Sequence, residues 1–205
     1  MSNTTVVPCP RVGITLYAPW WCTILWAGKR RENRWESVAR SLKRWRGPIA
    51  LTASKTWNQL DVRSDLLEIN LSIQPTWTKS LVWRDIHDRA GCIVGIADLV
   101  AVEPNGKAPP DPWAVPGQWS LMLNNVREVI PVPCTGGRGA FRFGSCSGCT
   151  KPTAFTGSTM VCRAKACKTT TPRAEVVQPM LTVVNASPSA PAHAAGSVNG
   201  PAGTA

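Results

Sequence analysis

The first quarter of the chain alternates between apolar runs and one dense charged interruption. Residues 12–17 (VGITLY) have strand character. Pro19 suits the first turn of a short apolar helix over about 19–27, and Gly28 suits its C-terminal cap. Lys29 to Trp35 (KRRENRW) then reads as extended. Residues 36–46 (ESVARSLKRWR) read as a helical turn or a basic loop. Arg46-Gly47-Pro48 marks a turn, and IALTAS a buried strand ending at Ser54-Lys55.

Further on, residues 56–90 mix helical and extended character. Residues 92–102 (CIVGIADLVAV) form a continuous apolar run of buried-strand type. A Pro- and Gly-rich loop follows over 104–118. QWSLMLNNVREVIPVPC predicts one or two strands around a turn at Asn124-Asn125, and GAFRF closes the series. Several short strands with one early helix predict a mainly β (α+β) fold, a small β-barrel with flanking helices. The expected organisation is a disordered lead over 1–10, a barrel over 11–143, a four-cysteine module over 144–170, and a disordered tail rich in Ala, Pro, Ser and Gly over 171–205.

Charge refines this picture. The 205 residues carry a formal charge of +11, and the positive charge is clustered. Residues 29–55 hold nine Lys/Arg against two acids, and residues 138–173 hold seven against none. Ten Trp stand against one Tyr and three Phe. Two basic blocks with Trp among them predict a polyanionic partner, most simply nucleic acid. The apolar stretch 12–28 falls short of the ~20 residues that span a bilayer, holds Pro19 near its middle, and has its cations after it. The expectation is a soluble, cytoplasmic protein with no membrane partner.

Lys29, Glu32 and Arg34 form K-x-x-E-x-R where the helix meets the extended segment. Alternation puts Glu32 and Arg34 on one face, with Lys29 at the joint. A carboxylate between two cations stays ionised and fixes them, and the cations can then hold a phosphate or a base carbonyl. The alternative is a self-satisfied ion-pair cluster on a barrel rim. Trp20 at the helix start and Trp119 beyond the loop are candidates to stack a base. Ser54 and Lys55 are candidates to face the same cleft. His87 has no recognisable acid–base partner, which argues against a catalytic triad.

The blocks PW…AGKRRENRW, RGPIALTASK, GCIVGIADLV and PGQWSLMLNNVREVIPVPCTGGRGAFRF, over about residues 14–143, resemble the ASCH family of the PUA-like superfamily. The resemblance implies a small β-barrel with a helix-flanked cleft that binds nucleic acid, RNA rather than DNA, or a modified nucleoside. It also implies an alternative, a hydrolase using the same cleft: an amidohydrolase on an acylated cytidine-type nucleoside, or a ribonuclease. Lys29 would then be the catalytic residue, with Glu32 beside it. The amidohydrolases carry threonine where this chain has Glu32, and a glycine where it has Ala27. A protein-interaction module docking an acidic partner is a third reading.

Cys146-x2-Cys149-x12-Cys162-x4-Cys167 supplies two close pairs of thiols. Four thiolates so spaced predict a tetrahedral structural zinc site, with TKPTAFTGSTMV as a hairpin presenting both pairs; the alternatives are two disulfides, four unrelated thiols, or iron or redox use. About 25 residues cannot hold a core unaided, so the metal would supply folding energy. Cys9, Cys22, Cys92 and Cys134 are scattered and read as buried thiols.

Overall fold

A computed structural model describes residues 4–56, 86–107, 109, 111–134, 137, 139–145, 152–155, 159–161, 170–172 and 178–185. The fold is mostly β, a sheet curled into a half-barrel with few helices. In chain order the elements are β1 (Thr4–Pro8), β2 (Val12–Leu16), α1 (Trp20–Trp26), β3 (Arg31–Arg34), α2 (Glu36–Leu42), β4 (Gly47–Ala53), β5 (Cys92–Pro104), β6 (Trp119–Pro133), β7 (Ala140–Ser145), β8 (Pro152–Phe155), β9 (Thr159–Val161), β10 (Thr170–Pro172) and β11 (Met180–Val184). The main sheet runs β1-β11-β6-β5-β4-β2-β7-β8, with β3 added to β6. Strands β2 and β4 are parallel, the rest of the pairs antiparallel.

The two faces of the central strands serve two cores. Ile49, Leu51 and Ala53 of β4 join Trp21, Cys22 and Ile24 of α1 and Ala39 and Leu42 of α2. Ala50 of β4 joins Ile93 and Ile96 of β5, Phe141 and Phe143 of β7, and Leu181 and Val183 of β11. Burial on both faces explains why β4 and β5 read as continuous apolar runs. Helix α1 lies close on β5 because Gly95 carries no Cβ; one added there would come within 2.7 Å of Leu25 and 3.0 Å of the Arg127 carbonyl oxygen.

Strand β6 is one 15-residue strand, not two strands about a turn at Asn124-Asn125. Asn125 has φ +45°, and the β5–β6 register shifts between Ile96 and Asp98, so the Asn pair marks a bulge. Asn tolerates this left-handed conformation, and the Asn124 Oδ1 accepts the Asn125 N–H at 2.8 Å. The bent strand serves two neighbours: its first half pairs β3 and its second half pairs β11.

Two expectations of disorder are corrected. Residues 4–8 form β1 and residues 180–184 form β11, paired antiparallel from Thr4↔Val184 to Pro8↔Met180. Neither segment has enough apolar residues to stand alone. Their pairing, with Leu181 and Val183 buried against the barrel core, orders both. The hairpin expected between the two cysteine pairs also differs. Strand β8 pairs back onto β7, and β9 pairs with β10.

Candidate functional site

Helix α1 ends so as to deliver Lys29 inward. The Thr23 carbonyl accepts both the Ala27 N–H (3.0 Å) and the Lys29 N–H (3.1 Å), closing the last turn. Gly28 sits at φ +71°, the left-handed position that ends helices and favours glycine. The Arg30 guanidinium donates to the Ile24 and Lys29 carbonyls at 2.9 and 3.2 Å, satisfying acceptors the helix leaves open. The chain then enters β3 with Lys29 behind it.

The inward residues of β3 complete a buried ion triad. Lys29 Nζ donates to Glu32 Oε2 at 2.6 Å, and an Arg34 terminal nitrogen forms an ion pair with Glu32 Oε1 at 3.0 Å. Lys29 is 2% exposed and Glu32 6%. The same Arg34 nitrogen donates to the Thr15 carbonyl at 2.7 Å, at the end of β2. Burial pushes the Glu32 carboxyl up, but Lys29 and Arg34 outweigh it and hold it below its ordinary 4.5. Two cations share one carboxylate, so the triad carries one net positive charge. Among the described residues no second carboxylate pairs with either cation. The Arg34 Nε–H is buried and has no acceptor among the described residues.

Aromatic rings border the triad. Lys29 Nζ lies 5.3 Å from the centre of the half-buried Trp20 ring. Trp119 stands directly across from Arg34 in the β3–β6 register and packs on the α1–α2 core, with Lys43 Nζ 5.8 Å from its ring. Lys29, Glu32, Arg34, Trp20 and Trp119 thus form one neighbourhood. Ser54 is tied to the end of β2, its N–H donating to the Leu16 carbonyl at 2.8 Å, while its hydroxyl pairs with Thr56. Lys55 lays its aliphatic chain against Gly91, near Cys92 and Cys134. Among the described residues no hydrogen bond or ion pair joins Lys55 to the triad.

The outward residues of β3 hold the 105–118 loop, a role that sequence reasoning missed. Arg31 Nε donates to Asp111 Oδ2 at 2.7 Å. Asn33 donates to the Trp113 carbonyl at 2.6 Å and accepts from the Val115 N–H (2.9 Å) and Asn105 Nδ2 (3.0 Å). Ser120 donates to Asn105 Oδ1 at 2.6 Å. The signal that could have found it is alternation: with Glu32 and Arg34 inward, Arg31 and Asn33 must face the other way.

A second cluster surrounds Trp26, the last residue of α1. Trp26 Nε1 donates to Glu128 Oε2 at 3.0 Å, and Arg89 pairs with Glu128 Oε1 while stacking 5.1 Å from the Trp26 ring centre. Cys9, Cys22 and Cys92 are buried thiols, and burial pushes the Cys9 and Cys134 thiols up to about 12. Such thiols are inert packing groups. Cys146, Cys149, Cys162 and Cys167 lie outside the described residues. Among the described residues no group of three or more His, Cys, Asp or Glu is placed to hold a metal ion, and no helix is long and apolar enough to cross a membrane.

No protein-family model matches the chain, and no curated protein matches it either. What the site can do therefore follows from its own chemistry.

Proposed function

We propose that the chain binds nucleic acid or a modified nucleoside, RNA in preference to DNA, at the Lys29–Glu32–Arg34 triad. One observation carries this reading: two cations share one carboxylate, with Lys29 and Glu32 buried and Arg34 14% exposed, which leaves a net positive charge and, among the described residues, an Arg34 N–H without an acceptor. Burying an unbalanced charge is costly, and an electronegative ligand atom offsets that cost. Lys29 and Glu32 have almost no open surface, so Arg34, 14% exposed, is the member a base carbonyl would meet, with Lys29 supplying charge from behind. Phosphates fall instead to the exposed cations Arg30, Lys43, Arg44 and Arg46. Trp20 and Trp119 supply ring surface beside the triad. The likeness of the K-x-x-E-x-R and R-G-P blocks to ASCH sequences of the PUA-like superfamily supports the same reading.

Hydrolysis at this site is the weaker reading. An ammonium already donating to Glu32 at 2.6 Å has no lone pair for attack. The test is binding of labelled oligonucleotides across a salt series. Lys29→Met and Arg34→Met each leave a one-to-one ion pair, so the fold survives. Each should weaken binding about ten- to hundred-fold, the weight of a charge-assisted hydrogen bond. Wild-type affinity in both variants would refute the reading.

The proposal includes a structural zinc held by Cys146, Cys149, Cys162 and Cys167. Each pair falls in the chain between two paired strands, β7/β8 for the first and β9/β10 for the second. Four sulfurs fill a tetrahedral zinc shell and leave no position for a reacting water. Metal analysis of the purified protein should find about one zinc per chain; metal-free protein with β9 and β10 still folded would exclude it.

A further inference from the structure

Two large rings of the described residues stand exposed. Trp35 is 70% exposed and Tyr17 50%. They are the two aromatic residues among the exposed large hydrophobic side chains of the described residues. Both lie close in the chain to residues of the triad or its supports. Trp35 directly follows Arg34, caps α2 with extended backbone, and receives the Val38 and Ala39 N–H groups on its carbonyl. Tyr17 stands two residues beyond Thr15, whose carbonyl accepts from Arg34. Its own carbonyl accepts from the N–H of Trp20, the residue whose ring faces Lys29. The barrel core had room for other large rings, such as Trp21 at 0% exposure, yet these two are left in water.

We infer that Trp35 and Tyr17 are stacking platforms for nucleotides flanking the one at the triad, so that the ligand is an unpaired, single-stranded segment. This rests on the nucleic-acid reading above and narrows it. A duplex keeps its base faces stacked on one another and offers a protein only edges and backbone; exposed rings gain stacking area only from splayed bases. The surrounding charge suits the same occupant. Lys43, Arg44 and Arg46 follow α2 as exposed cations, and Arg142 is exposed on β7. Arg40 is the exception, held in a bidentate contact with Glu36.

The experiment titrates full-length protein with labelled strands of roughly 12 nucleotides. Each is tested alone, as RNA and as DNA, and annealed to its complement. The variants are Trp35→Ala, Trp35→Phe and Tyr17→Ala, with Lys29→Met in parallel. Exposed positions tolerate truncation, and circular dichroism checks the fold. Trp35→Ala should weaken single-strand binding roughly 5- to 100-fold. Trp35→Phe should recover most of that loss, and heparin, which has no bases, should bind Trp35→Ala as it binds wild type. Wild-type protein should favour the single strand over the duplex. Unchanged single-strand affinity in both alanine variants, or a wild type that prefers duplex, overturns the inference. In that event a loss in Lys29→Met would still uphold the triad as the binding site. Wild-type protein that binds neither strand nor duplex overturns both.

Discussion

Two Glu-centred clusters flank helix α1, and they use the same parts to opposite effect. In one, Glu128 pairs with Arg89, accepts the Trp26 indole N–H and has Arg89 stacked on the Trp26 ring. In the other, Glu32 pairs with Lys29 and Arg34, with Trp20 beside Lys29. The first cluster balances its charge and stays in contact with solvent, its ionic side chains 19% and 28% exposed. It braces the helix against β6. The second holds one cation too many, with Lys29 and Glu32 at 3% and 8% exposure and Arg34 at 14%. Water screens a charge imbalance near a surface, but it cannot screen one inside. The buried, unbalanced cluster is therefore the place where a ligand has the most to contribute.

The sharpest contrast is in stability. Glu32→Gln leaves two buried cations with a neutral partner and should cost about 3–5 kcal/mol. Glu128→Gln, at a part-exposed pair, should cost about 1 kcal/mol. Denaturant unfolding of both variants measures the difference, and equal losses would erase the distinction between brace and site.

Acid should separate the clusters next. The Glu32 carboxyl is held below 4.5 in the folded state, against an ordinary value in the unfolded chain. Its stabilising contribution is thus complete above about 4.5 and fades as pH falls through the lowered folded value. Stability should drop steeply below pH 4.5 in wild type. That drop should be shallower in Lys29→Met, where one of the depressing charges is gone. A wild-type profile indistinguishable from that of Lys29→Met would contradict the assignment.

The smallest effect concerns β3's outer face. Asn33→Ala removes three hydrogen bonds that hold the 105–118 loop and should cost about 1–2 kcal/mol. Hydrogen exchange should rise at Val115, whose N–H loses its acceptor, while the Lys29–Glu32 pair is undisturbed. Equal protection at Val115 in variant and wild type would show that the loop is held by other means.

Local chemistry makes much of this legible in the sequence. Pro19 and Gly28 bracket α1 because one fits a helix start and the other its left-handed exit. Strict alternation along β3 is enough to put Glu32 and Arg34 on one face. What escapes is set by partners far away in the chain. Strand β1 is ordered by β11, some 170 residues on, and no local pattern announces that pairing. The Asn124-Asn125 pair has turn chemistry, yet β5 holds it in a bulge because Asp98 accepts from Asn125 Nδ2 at 2.8 Å. Strand β4 ends at Ala53, and Lys55, two residues on, lays its side chain over Gly91, where there is no Cβ. The direction of a long side chain at a strand end depends on such space, which the sequence does not express.

Whether the excess charge around Glu32 binds a ligand, while the balanced pair at Glu128 does not, can be decided by one titration. A labelled single strand is bound across a salt series to Arg34→Met and to Arg89→Met. Arg34→Met should bind about ten- to hundred-fold more weakly than wild type, and Arg89→Met with near wild-type affinity. Equal affinities in the two variants would contradict the assignment of the triad as the binding site.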